Sequence, residues 1–160
     1  MHCIADRALR RKRYLLRIDR KRFSGRNACM KRIVETDRAP KAIGPYSQAV
    51  ETNGTLYISG QIPVNPATGA LVEGGIREQA EQVLENIGAI LRAAGCDYGA
   101  VVKTTCLLSD MANFSAMNEV YARYFTGQPP ARATYAVAGL PLGALVEIEA
   151  VAVRGKFSPV

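Results

Sequence analysis

The sequence predicts an α+β domain: a mixed β-sheet with two helices on one face and a second copy of the chain on the other. Three observations carry this. Apolar residues recur with helical period in only two stretches, 76–94 and about 112–125. The other apolar residues lie in short, often β-branched runs bounded by Gly, Pro or Asn, giving the order ββ(β)αβαββ. The last such run, 144–154, is apolar on both faces, with Val146, Ile148, Ala150 and Ala152 on one and Leu145, Val151 and Val153 beside two glutamates on the other. Two helices cover one face of a sheet, so the apolar part of the other points to an oligomer.

The elements follow in order. "KRIVETD", 31–37, is a short strand candidate, and "APKAIGPYSQAV" breaks regularity before a strand near 47–52. "TNGT" is a hairpin turn because Asn-Gly tolerates positive φ, and it returns the chain into "LYISG". "QIPVNPATGALVEGG" is a loop. In 76–94 the residues Ile76, Ala80, Val83, Leu84, Ile87, Ile90, Leu91 and Ala94 share one helical face, and Gly95 sits where a left-handed cap belongs. "AVVKTTCLLSD", 100–110, is strand-like; the second helix aligns Phe114, Met117, Tyr121, Tyr124 and Phe125. "GQPP" ends that helix, and strands at about 131–137 and 144–154 follow, separated by "GLPLG".

Composition narrows function. The 160 residues carry a net charge of +7, but residues 1–29 hold ten Lys/Arg against two Asp/Glu, and residues 30–160 eleven against twelve. The domain at 30–160 is therefore near neutral and lacks the basic footprint of a nucleic-acid binder. The leader at 1–29 reads as an organellar presequence, a basic arm for nucleic acid or anionic surfaces, or an upstream extension with Met30 as the working start. Cys3, Cys29, Cys96 and Cys106 form no regular framework and read as free thiols in a reducing compartment. That indicates the cytoplasm, or a mitochondrion or plastid if the leader is a presequence. No run of 18 apolar residues is present.

His2, in the leader, is the only histidine. The domain thus has no Ser–His or Cys–His dyad, and two cysteines without histidine do not suggest a zinc site. Chemistry falls to carboxylates, arginine, tyrosine, hydroxyls and backbone groups. Arg132 is the lone cation in "PPARATYAVAGLPLGALVEIEAVAV". Its rigid fork suits a carboxylate, either that of Glu147 on the following strand, as a structural ion pair, or one from a ligand. Arg132 and Thr134 point one way, Ala133 and Tyr135 the other. Glu147 and Glu149 also fit a plain solvated face. Tyr46 could serve a ligand or simply pack, and Ser59 has no base to activate it. Asn118 shares the helix face of Phe114, which also suits an interface polar group, and Cys106 reads as core.

Five stretches, "APKAIGPYSQAV", "LYISGQIPVNPATGALV", "IREQAEQVLENIGAIL", "VVKTTCLLSDMANFSAMNEVYARYF" and "PPARATYAVAGLPLGALVEIEAVAV", run in order through 39–153. Together they closely resemble the Rid family, in particular its RidA branch of reactive enamine/imine deaminases. The resemblance implies a chorismate-mutase-like fold and a homotrimer with active sites between neighbouring subunits. It implies hydrolysis of 2-imino acids, or of enamines such as 2-aminoacrylate, to 2-oxo acids and ammonia, without metal or cofactor. Such intermediates escape pyridoxal-phosphate enzymes, a functional link that needs no direct binding. The family's carboxylate-binding arginine falls on Arg132, its water-handling glutamate on Glu147, its pocket tyrosine on Tyr46 and its "SGQ" serine on Ser59. Phe114 and Asn118 match pocket-lining positions. Thr134 stands where some members have Cys, which excludes a thiolate mechanism there, and the link before "PPAR" is shorter than in some relatives. Ribonuclease or translation-inhibitor activity attributed to some relatives, and non-catalytic carboxylate binding, are the alternatives.

Overall fold

The structure is a computed structural model that describes residues 31–155. The leader at 1–29 lies outside those residues. Six strands, β1 (Arg32–Val34), β2 (Ala49–Thr52), β3 (Thr55–Gln61), β4 (Val101–Leu108), β5 (Ala131–Ala136) and β6 (Val146–Val153), form one sheet in the order β1-β2-β3-β6-β4-β5. Only β4 and β5 run parallel; the other neighbours are antiparallel. The helices are α1 (Ile76–Ala94) and α2 (Phe114–Tyr124).

Local chemistry accounts for the joints. Asn53 and Gly54 have φ of 50° and 77°, the conformation a two-residue hairpin with native twist requires. Gly95 takes φ 76° and ψ 30°, its N–H bonding Arg92 O while Cys96 N–H bonds Leu91 O. These bonds satisfy carbonyls that the end of α1 would otherwise orphan. At the other end, the Glu78 carboxylate accepts from Gly75 N–H.

The core is the seam between the helices and one sheet face. Val83, Leu84, Ile87, Ile90 and Leu91 of α1 and Met117 and Val120 of α2 are fully buried. They meet Leu56, Ile58, Cys106, Leu108, Val146, Ile148, Ala150 and Ala152. Buried polar side chains pin the loops: Gln48 donates to the carbonyls of Thr36, Ala39 and Pro40, and Asn86 donates to that of Val64. On the far face, the row Val50, Tyr57, Val151 is uncovered in the protomer, with Tyr57 51% exposed.

The order of strands corrects one reading of Glu147. A structural ion pair between Arg132 and Glu147 within one protomer requires the strands that carry them, β5 and β6, to be neighbours. β4 lies between them. Arg132 registers with Thr104, which is fully buried toward the helices, whereas Glu147 registers with Leu107, whose other neighbour is the exposed Tyr135. The two side chains therefore leave opposite faces of the sheet.

Candidate active site

The predicted residues gather into two groups. The first lies on the face away from the helices, where β3 bulges. Ile58 pairs with Ala150 and Gln61 with Ile148, so Ser59 and Gly60 together oppose Glu149. The bulge carries Gly60 beneath the Glu147 side chain, so closely that a Cβ built at position 60 would lie 1.9 Å from Glu147 Oε1. Tyr46, Ser59, Gly60 and Glu147 line a cleft of about 480 Å³ together with Ile43 and Ile62. Ser59 Oγ donates to Ser47 O at 2.7 Å and Ser59 N–H to Gln48 O, so this serine clips the tyrosine-bearing loop to β3. Tyr46 is half exposed in that cleft. Glu147 makes no hydrogen bond or ion pair among the described residues. Burial, and after it repulsion from Glu149, raises its carboxyl above the ordinary value.

The second group lies on the helix face at the edge strand β5. The Arg132 guanidinium sits 4.5 Å from the ring centroid of Tyr121 and 5.7 Å from that of Phe114, and its Nη2 donates to Asn118 Oδ1 at 2.8 Å. None of the ion pairs among the described residues involves it. Thr134 follows on the same face and registers with Cys106. Desolvation pushes the Cys106 thiol up to about 11, despite the opposing pull of Arg132 and contacts with Thr104 and Thr134. It is a core thiol and no nucleophile at neutral pH. As an edge strand, β5 leaves the outer half of its backbone N–H and C=O groups without a strand partner.

All seven predicted residues thus fall into these two groups, four around Arg132 with Thr134, Phe114 and Asn118, and three around Glu147 with Tyr46 and Ser59. No single protomer unites Arg132 with Glu147. Three residues escaped the sequence reading. Gly60 had a signal, a glycine inside a strand pattern, which marks a bulge or a close approach. Tyr121 was counted only as part of an apolar helix face, and Thr104 only as a strand residue; nothing in the pattern distinguishes them.

Known proteins share this architecture. A family model described as Endoribonuclease L-PSP matches residues 36–154. The chain is 55% identical over 131 residues to the mouse protein named 2-iminobutanoate/2-iminopropanoate deaminase, covering 82% of this chain and 97% of the mouse one. A Yersinia pestis crystal structure titled as a conserved Rid family protein of unknown function superposes with a TM-score of 0.76 at 54% identity, covering 78% of this chain and 99% of that one. Escherichia coli TdcF with bound serine superposes at 0.75 with 43% identity, over 78% and 99%. Sheet and helices agree with solved neighbours across nearly their whole length, and more than half of the aligned residues agree with the closer of these relatives: the chain belongs to the Rid family.

Proposed function

We propose that this protein hydrolyses reactive 2-imino acids, such as 2-iminopropanoate and 2-iminobutanoate, and the enamines that tautomerise with them, to 2-oxo acids and ammonia. The observation that carries the reading is Arg132, a guanidinium held by neutral groups and paired with no carboxylate among the described residues. The mouse relative's name and the serine in the Escherichia coli neighbour, itself a 2-amino acid, fit that vacancy. Arg132 clamps the substrate carboxylate bidentately and fixes C2. Glu147 takes a proton from water as its oxygen adds to C2, forming a carbinolamine. Glu147 passes that proton and then the hydroxyl's to nitrogen, so that ammonia leaves as the C2–O bond becomes a carbonyl. Tyr46 and backbone groups beside Thr134 orient the nitrogen and the new hydroxyl. Imines already hydrolyse in water, so general acid–base help of roughly 10²–10⁴ is enough.

Because Arg132 and Glu147 leave opposite faces of one sheet, the reading requires two subunits per site. A homotrimer supplies three such sites and covers the row of Val50, Tyr57 and Val151. Residues 1–29 are outside this machinery, and a chain starting at Met30 keeps its assembly and turnover. The protein works in the cytoplasm, or in a mitochondrion or plastid where 1–29 serves as a presequence. Among the described residues no helix is long and apolar enough to cross a membrane.

The test is to generate 2-iminopropanoate in situ from alanine with an amino-acid oxidase, with semicarbazide as competitor, and measure diversion to pyruvate. Arg132→Ala should abolish diversion while changing stability by no more than about 2 kcal/mol, since among the described residues it breaks no ion pair. Arg132→Lys should rescue poorly, because an ammonium lacks the fork. No diversion by the wild-type protein sinks the reading, and wild-type diversion by folded Arg132→Ala sinks the role given to that arginine. The family model's description raises ribonuclease action as a second reading. Salt-sensitive RNA cleavage that depends on residues 1–29, with no imine turnover, is the result that would favour it.

A further inference from the structure

Arg132 raises a physical question: what holds a guanidinium in place at a sheet edge without neutralising it? An acidic partner would hold it and also occupy it. The structure offers another support. Tyr121, only 5% exposed, lies beneath the guanidinium at 4.5 Å from the ring centroid. Its hydroxyl is bonded at 2.7 Å to Oγ1 of Thr104, which is fully buried. Thr104 is in turn the cross-strand neighbour of Arg132 in the β4–β5 register. The ring also packs against Phe125, with centroids 4.4 Å apart and the rings tilted by 31°. Strand register, hydroxyl bond and ring stacking thus set the ring and the arginine relative to each other.

We propose that Tyr121, anchored by Thr104, is a positioning residue for Arg132: its π face attracts the guanidinium while leaving the positive charge and most of the fork for a substrate carboxylate. A ring face supplies electrostatic attraction without a negative charge that would compete with the ligand. Burial raises the phenol above its ordinary value, so it stays neutral and does not become an anionic rival for Arg132. Asn118 complements it by taking one N–H in the guanidinium plane. The arginine is then preorganised before the ligand arrives, which lowers the ordering cost of binding. This inference rests on the proposed carboxylate-binding role of Arg132.

The experiment uses the full chain and two probes, turnover of 2-iminopropanoate and binding of pyruvate, the product carboxylate. Tyr121→Leu should raise KM and the pyruvate Kd together by roughly 2- to 30-fold, the span of exposed to desolvated cation–π contacts, with kcat within about threefold. Tyr121→Phe, which keeps the π face, should stay within about threefold of the wild type in KM. Should the leucine variant not assemble, phenylalanines with one, two and five ring fluorines at position 121 preserve shape and progressively weaken the π face. Log KM should then climb along the series. A flat fluorination series, or an assembled Tyr121→Leu protein with wild-type KM and pyruvate Kd, overturns the positioning role while leaving the deaminase reading intact. Full turnover by Arg132→Ala overturns the clamp role on which this inference rests, and no turnover by the wild-type protein overturns the deaminase reading instead.

Discussion

At the scale of single residues, the proposed chemistry rests on two side chains, and each depends on a neighbour with no reactive group. Gly60 is such a neighbour for Glu147. A methyl at position 60 would meet the carboxylate oxygen, the mobile end of its side chain, and not backbone. Gly60→Ala should therefore leave folding stability within about 1 kcal/mol yet lower kcat by roughly tenfold to a hundredfold, the scale of a displacement near 1 Å. Chemical denaturation beside imine turnover checks this; equal loss of both would show that Gly60 serves only the bulge. The raised carboxyl of Glu147 gives a second test. As a base it acts only when ionised, so kcat/KM should rise with pH through a point above the ordinary glutamate value. Glu149→Gln removes the lesser of the two causes, so the rising limb should move to lower pH, and by less at high salt. A limb that stays put or moves upward would rule out Glu149 as a tuning charge.

At the scale of elements, the site depends on joints that hold strands and loops in register. The β3 bulge brings Ser59 and Gly60 together onto the glutamate face, and the Ser59 hydroxyl clips the Tyr46 loop to the same strand. The Gly95 cap stops α1 where the chain must turn toward β4, and Arg154, at the end of β6, donates to the last-turn carbonyl of Ala94. A Cβ on Gly95 would lie 2.8 Å from Arg154 Nη2 and would sit on a left-handed backbone. Gly95→Ala should cost about 1–2 kcal/mol in urea unfolding, from backbone strain and displacement of that arginine. Because Gly95 is remote from both residue groups, KM and kcat of the folded fraction should be unchanged. A catalytic defect without loss of stability would contradict that division.

At the scale of the whole molecule, one sheet separates arginine from glutamate, and the proposed reaction requires an assembly that brings them together. In a cyclic trimer each site takes Arg132 from one subunit and Glu147 from the next. Arg132→Ala and Glu147→Gln subunits, each inactive alone, should then complement when refolded together. Random mixing in equal amounts pairs an intact arginine with an intact glutamate at about one quarter of sites, so about a quarter of wild-type activity should return. A site confined to one protomer would return none. Sedimentation of the wild-type protein should give a trimer at micromolar concentration, and a monomer would contradict both the covered face and the shared site.

Much of this protein was decided by the sequence alone. The helix period at 76–94, the Asn53-Gly54 hairpin and the Gly95 cap are local properties, set by side-chain spacing and allowed φ, and the structure reproduces them. The ordered motifs placed the chain in its family and, through that resemblance, named Arg132, Glu147, Tyr46, Ser59, Thr134, Phe114 and Asn118 as candidates, because residue type and neighbours carry that information. Pairing was not local. That β4 lies between β5 and β6, and that the bulge sets Gly60 against Glu147, depend on contacts between residues far apart in the chain. The ring beneath Arg132 is another such contact, since Tyr121 on a helix and Thr104 on a strand meet only when the core closes. Periodicity shows which side of its own element a residue faces; only the packed sheet decides which residues share that side.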